Sequence, residues 1–325
     1  MKYSEMISNI INLFKNDKIG NPPWDYYFLK NLDEKEYPMY LSKLFKLNTG
    51  EKLPLEWSFK DRKWTINKNK CKTFNQKIQY IKLYGINDLM RGCTDKAKVR
   101  DFIRESIGAK YLKPVLRICN SFDEINFDKL PNSFVIKCNH GCKWHYIIKN
   151  KEKYLKNKLL IDLTRQNITG WLEQDYGFWG GFELQYRNIE HKILIEPLLR
   201  EEINTPVREI EVYCFNGKPK IFINVQYGVK REICYYDESF NFIDLILHPD
   251  GKNIIKKEKA DNLLNQTNEL SIKLSKNFCF VRVDWLVFKN KLYFNELTFT
   301  PYSGFIKFDK KWNIKLGTRI NLGDR

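Results

Sequence analysis

The sequence predicts an α+β chain in which a mostly helical N-terminal region, 1–93, precedes two α+β lobes, 94–196 and 197–325. Three observations carry this reading. Apolar residues recur three and four apart through the first region; short strand-like runs then flank a lysine-rich helical stretch; and from Arg208 onward apolar and polar residues alternate with period two. At 43% hydrophobic and 15% aromatic over 325 residues, the chain has enough apolar mass for packed cores, so disorder is not the expectation.

In the first region, Tyr3–Phe14, Tyr37–Leu47 and Phe74–Tyr84 show helical spacing. Asn-Pro-Pro at Asn21–Pro23 and Asn-Thr-Gly at Asn48–Gly50 break them apart. The opening MKYSEMISNIINLFKND mixes apolar residues with charges and has no compact apolar block before a small-residue cleavage site, so it reads as a helix rather than an export signal. Asp95 is placed to cap a helix over Lys96–Ile107, which Gly108 can end. Strands are expected around Tyr111–Ile118, Ser133–Lys137, Tyr146–Lys149 and Lys192–Pro197, with helix between Lys151 and Leu172. EIEVYCF, KIFINVQY and EICYYD then read as successive strands, with a turn at Gly217. A helix over Ala260–Leu274 leads to a last pair, CFVRVDWLVF and KLYFNEL, joined by a tight turn at Lys289-Asn290. No repeats or low-complexity linkers interrupt this order.

Composition narrows the function classes. Every apolar run is broken by Lys, Asn, Asp or Glu before the roughly 18 to 20 residues that a membrane span requires, so no span is expected. The eight cysteines are scattered, mostly in apolar segments, as in a reduced, cytoplasmic protein. A net charge of +17 invites nucleic acid, but the 56 basic residues are spread along the chain among 39 acids, without a basic arm, an aromatic RNA-binding pair or a zinc finger. The charge suits a small anionic substrate such as ATP, or an acidic glycan.

Two segments carry candidate chemistry. In CFVRVDWLVFKNKLYFNELTFTPYSG, alternation along adjacent strands would bring Asp284 and Glu296 together in an apolar setting. Buried carboxylates repel unless a partner compensates them; a divalent cation such as Mg²⁺ would do so, and so would a simple pairing with Arg282. In LPNSFVIKCNHGCKWHYIIKN a hydrophobic strand delivers Lys137 ahead of a small-residue turn containing Gly141, which is a phosphate cradle in chemical terms but not a P-loop. Cys138, His140, Cys142 and His145 are metal-ligand types but lack the second, distant ligand pair of common zinc sites, so a phosphate-binding turn is preferred.

The order TDKAKVRDFIRESIGAKYLKPVL, LPNSFVIKCNHG, HKILIEPLL, REIEVYCFNGKPK and FVRVDWLVFKNKLYFNELTFTP resembles the ATP-grasp superfamily. With CKTFNQKIQYIKLYGIND upstream it is similar, over residues 68–322, to the teichuronopeptide-biosynthesis (TupA-like) branch. The resemblance implies an ATP-grasp fold whose two lobes clasp ATP. It places Arg100 at a first phosphate-binding cation and Lys137 at a second, with the 138–145 turn, His140 and Gly141 included, as the flap over the phosphates. Glu196 and Leu198 fall on the hinge strand whose backbone receives adenine, and Glu209 on the acid that holds the ribose. Asp284 and Glu296 fall on the Mg²⁺ ligands, Arg282 on the arginine that steadies the transferred phosphoryl group, and Lys230 is assigned to the cation near the γ-phosphate. Two departures stand out: Thr298 replaces the asparagine often found as last metal ligand, and Glu209-Ile210-Glu211 stands where the branch carries Asp-Tyr-Lys.

The activity so implied is an ATP- and Mg²⁺-dependent ligation in which a carboxylate becomes an acyl phosphate and is joined to an amine, on a cell-surface polysaccharide or its precursor. The partners implied are a small-molecule or glycan carboxylate and an amine, without nucleic acid and with peripheral contact to a lipid-linked substrate left open. The rival readings are an ATP-grasp phosphotransferase acting on a sugar or amide and a non-catalytic nucleotide-binding protein of glycan assembly.

Overall fold

The computed structural model describes residues 26–179, 181–200, 206–245 and 253–323; the expected helix at Tyr3–Phe14 and the break at Asn21–Pro23 lie outside them. Helix α1 spans Tyr26–Asn31 and α2 Tyr37–Thr49. Pro38 sits in the first turn of α2, where its missing N–H costs nothing, and Gly50 ends the helix at φ +74°. Tyr37, Tyr40, Leu41, Leu44 and Phe45 form its buried stripe. A hairpin follows that the helical reading of this region did not foresee: β1, Leu55–Ser58, pairs antiparallel with β2, Lys63–Ile66. Each of its strands is too short to show a decisive period.

Helix α3, Phe74–Tyr84, begins on a capping box of Thr73 and Gln76, and α4, Asp88–Thr94, is capped by Asn87. Helix α5 runs Val99–Ile107 and stops at Gly108, φ +99°. It starts later than Lys96 because the Lys96 N–H donates to the Asn139 carbonyl, while Asp95 Oδ1 accepts from the N–H groups of Ala97 and Lys98. The helix entrance is thereby tied to the 138–145 turn.

The strand expected over Tyr111–Ile118 is shorter: a 3-10 turn covers Ala109–Tyr111, Pro114 has no N–H to offer a ladder, and β3 is only Arg117–Cys119. Then come β4, Phe134–Cys138; β5, His145–Ile148; α6, Lys151–Leu155; α7, Lys158–Leu172; and β6, Ile193–Pro197. The second half supplies β7, Val207–Phe215; β8, Lys218–Tyr227; β9, Arg231–Asp237; β10, Asn253–Ile255; α8, Asn262–Ser275; β11, Phe280–Phe288; β12, Lys291–Thr298; and α9, Lys310–Thr318.

Two larger sheets result. One is four-stranded, in the order β3-β6-β4-β5; the other is six-stranded, in the order β10-β9-β8-β7-β11-β12. Their pairings are antiparallel except β10 on β9. The β11–β12 turn places Lys289 and Asn290 at φ +48° and +53°, the left-handed pair that a two-residue hairpin turn demands. Helix α3 is built into the core of the six-stranded sheet, with Phe74 meeting Phe280 edge-on at 4.9 Å and Phe308 at 5.5 Å. A separate core joins the four-stranded sheet to α7 through Trp171 and Ile168, and a third packs α1 and α2 on Phe178 and Phe182. Among the described residues no helix is long and apolar enough to cross a membrane.

Candidate active site

A cleft of about 1070 Å³ opens between the two sheets. On the four-stranded side, β4 buries Phe134, Ile136 and Cys138 in its core, so the alternate residues Val135 and Lys137 face the cleft. Lys137 Nζ lies 2.7 Å from Glu196 Oε2 on β6, and Lys113 Nζ lies 3.4 Å from the same oxygen. Lys113 also donates to Asn295 Oδ1 on β12 at 2.7 Å, so it spans the two sheets. Burial and the neighbouring Lys113 pull the Lys137 ammonium down to about 7, against the pull of Glu196. Burial would raise the Glu196 carboxyl, but the two lysines overcome it and hold it at about 2.

The opposite wall is acidic around one arginine. Asp284 and Glu296 stand directly opposite each other in the β11–β12 register, beside a bulge at Asp284/Trp285. Arg282 grips Asp284 with a two-pronged bond, Nε to Oδ1 and Nη2 to Oδ2, both 2.7 Å. Its Nη1 lies 3.5 Å from Glu211 on β7. Thr298 Oγ1 lies 3.0 Å from Asp284 Oδ2 and 3.2 Å from Glu296 Oε1, which gathers three oxygen-bearing side chains at one point. Burial pushes the Asp284 carboxyl up, and the Arg282 fork works against it. Burial likewise acts to raise Glu296, yet Lys96 and Arg282 outweigh it and hold that carboxyl below its ordinary range. Glu209, pressed by burial and then by Glu211 and Glu296, is pushed up to about 7.

The 138–145 turn closes a third side. Gly141 is required there by close approach: a Cβ would lie 2.4 Å from the Trp144 ring, and its carbonyl accepts from Lys96 Nζ at 2.6 Å. His140 is fully buried behind the turn, stacked on His191 at 3.6 Å with Nε2 at 3.0 Å from the Trp171 carbonyl, and burial followed by His191 pulls it down to about 3. It is a neutral internal post rather than a group facing the cleft. Beyond β12, Tyr302 and Ser303 hold left-handed backbone at φ +51° and +54°. Buried Lys82 of α3 bonds to Ser303 O and Oγ, both at 3.0 Å, and Gln79 bonds to the carbonyls of Ser303 and Gly304.

Of the residues singled out in the sequence, Lys137, Glu196, Glu209, Arg282, Asp284, Glu296 and Thr298 converge on the cleft. Five others do not line it, Gly141 among them, which lies within the 138–145 turn against the Trp144 ring. Arg100 donates to the Lys113 carbonyl at 2.9 Å and so stands behind that lysine, while Lys230 is exposed in the β8–β9 turn. Leu198 lies past the end of β6 with its N–H on the Ser133 carbonyl, and His140 is internal. Sequence reading missed Lys113 and Lys96, which do line the cleft. The usable signals were Pro114, which keeps the chain extended just after Lys113, and Asp95, which turns the chain immediately before Lys96.

A family model described as TupA-like ATP-grasp matches residues 76–321. No curated protein matches the sequence. Similar solved structures include a D-alanine–D-alanine ligase from Bacillus anthracis complexed with ATP (17% identity, TM-score 0.39), where 72% of this chain covers 64% of that one. They also include a D-alanine–D-alanine ligase from Helicobacter pylori (15% identity, TM-score 0.39, 82% and 77% covered) and an L-amino acid ligase from Bacillus licheniformis (12% identity, TM-score 0.36, 69% and 45% covered). The chain thus spans less than two thirds of the length of the first of these ligases.

Proposed function

We propose, because the chain belongs to the TupA-like ATP-grasp family, that its cleft binds ATP with Mg²⁺ and activates a carboxylate for joining to an amine. The observation that carries this reading is the pairing of a two-lysine wall, Lys137 and Lys113, with an acidic wall of Asp284, Glu296 and Thr298 across one cleft. Such a cleft suits a polyanion that brings its own divalent cation.

The acidic wall fits Mg²⁺. It offers two carboxylates and a hydroxyl as hard oxygen donors. Mg²⁺ typically takes one or two carboxylates and completes its shell with water and phosphate oxygens. When bound, MgATP would supply the γ-phosphoryl group, which the substrate carboxylate would take as ADP leaves; the amine would then displace inorganic phosphate from the acyl carbon with loss of a proton.

The chain's own groups make that encounter of anions feasible. Lys137 and Lys113 screen phosphate charge, and Glu196 keeps the two ammonium groups buried in position until phosphate oxygens replace it as their partner. Arg282 keeps a fixed fork beside the acids and can share its donors with a transferring group. The turn held by Lys96 and Trp144 covers the cleft and excludes water from a hydrolysable intermediate. We further propose that the acceptor is a cell-surface polysaccharide or its precursor, handled in the cytoplasm; the resemblance to the branch and the positive charge of the chain support this.

The test is interception by hydroxylamine. With uronic acids, glutamate and aspartate as trial acids, the purified chain should form a hydroxamate with equal amounts of ADP and phosphate, without AMP. A stable phosphorylated product with no hydroxamate would replace the ligase by a phosphotransferase.

A further inference from the structure

The two short helices after β5 expose an apolar face that no described part of the chain covers. Leu155 is 39% exposed, Leu159 70%, Leu160 36% and Leu163 43%. On α7 the inward side is defined by buried Thr164, Ile168 and Trp171. At roughly 100° per residue, Leu159 stands opposite that core, Leu163 on its flank, and Leu160 nearer the core side, where it is the least exposed of the four. Leu155 ends α6, and Lys156 and Asn157 separate it from α7, so it adds an exposed apolar residue beside that helix rather than a further turn of it. A half-buried helix needs a polar outer face; leucine there adds nothing to the fold and marks a surface meant to be covered.

What would cover it is indicated by the neighbours. Lys149, Lys153, Lys156 and Lys158 are exposed around these leucines, against Glu152 and Asp162. Lys151 and Arg165 are already engaged, the first by the carbonyls of Phe127 and Leu130 and the second by Asp123. The one aromatic residue between 149 and 163, Tyr154, is buried, so the face lacks the aromatic anchors typical of protein–protein contacts. Leucines ringed by lysines match the boundary between lipid headgroups and acyl chains, where apolar tips sink and ammonium groups meet phosphates.

We infer that this face docks the protein on an anionic lipid bilayer, with Leu155, Leu159 and Leu163 entering the interface and the surrounding lysines contacting lipid phosphates. The edge strand β5, which carries the cleft residues His145 and Ile147, leads directly into this helix pair. Docking therefore places the cleft mouth on a lobe held at the membrane. The inference stands on the surface alone and does not need the cleft's chemistry.

The experiment is flotation of the full chain with vesicles of phosphatidylcholine alone and of phosphatidylcholine mixed equally with phosphatidylglycerol. Binding is expected to the anionic vesicles, weakly or not at all to the neutral ones, and should fall at high salt. Leu159→Ser with Leu163→Ser, and separately Lys156→Glu with Lys158→Glu, should each lower binding about tenfold or more, with unchanged circular dichroism because the side chains are exposed. No binding, equal binding to both vesicle types, or binding that survives both double variants overturns the inference. So does a wild-type dimer that Leu159→Ser with Leu163→Ser makes monomeric in the absence of vesicle binding, which would assign the face to a second copy of the chain.

Discussion

Glu196→Gln should cost about 3 kcal/mol of folding stability at neutral pH, and the size follows from the geometry. The carboxylate is 5% exposed and lies 2.7 Å from one ammonium and 3.4 Å from another. Burial tends to raise its pKa, and the lysines instead bring it from 4.5 to about 2. A folded value below the unfolded one means that the contribution is fully present above pH 4.5 and is lost as pH falls toward 2. At about 1.4 kcal/mol per pH unit, that interval is worth about 3 kcal/mol, close to the ~3–5 kcal/mol expected when one member of a buried ion pair is removed. Urea titrations of wild type and variant at pH 7 measure the first figure; repeating them between pH 5 and pH 2 should show a shallower acid loss in the variant. Saturating MgATP should restore part of the deficit, since phosphate oxygens give Lys137 and Lys113 a new partner. A midpoint indistinguishable from wild type at pH 7, or an identical acid limb, would refute the claim that this carboxylate holds the two lysines.

Lys137→Met should weaken MgATP binding about tenfold or more by calorimetry, because one charge-assisted contact is worth roughly 1.5–3 kcal/mol, while Lys113 still partners Glu196 and preserves the fold. Glu296→Gln should remain folded and lose nearly all turnover, as measured by ADP release; Asp284→Asn should do the same but also lose thermal stability, because the Arg282 fork then lacks an anion. Gly141→Ala should reduce both turnover and melting temperature, since the added methyl would lie 2.4 Å from the ring of Trp144, which is buried in the core of the four-stranded sheet. A melting temperature and rate both equal to wild type would show that the close approach does not constrain the turn.

The elements were legible where a period repeats. Phe74–Tyr84 matches its helical spacing residue for residue, and β7, β8 and β9 fall where the strand-like runs from Arg208 onward place them, although their central residues are buried consecutively rather than alternately. The Asp284–Glu296 juxtaposition was legible only in outline: the two-residue turn alone would set Asp284 opposite Asn295, and the bulge at Asp284/Trp285 shifts the register by one and brings Glu296 opposite it. What could not be read was set by long-range packing. Lys113 enters the cleft because Asn295 and Glu196, far away in sequence, receive its ammonium. Arg100 stays behind it because α5 turns that side chain onto the Lys113 backbone. His140 had the right neighbours for a phosphate turn, yet stacking on His191 and the Trp171 carbonyl draw it inward. The β1–β2 hairpin escaped because each strand has only four residues.

The central claim, that the two-lysine wall and the acidic wall together hold one MgATP, is tested most directly by a crystal structure with Mg²⁺ and a non-hydrolysable ATP analogue. The account predicts the triphosphate between Lys137 and Lys113 on one side and a metal ion on Asp284 and Glu296 on the other, with Glu196 no longer the nearest partner of both lysines. Nucleotide bound elsewhere, or a nucleotide-filled cleft in which Glu196 keeps both lysines and the Asp284–Glu296 pair holds no metal, would contradict it.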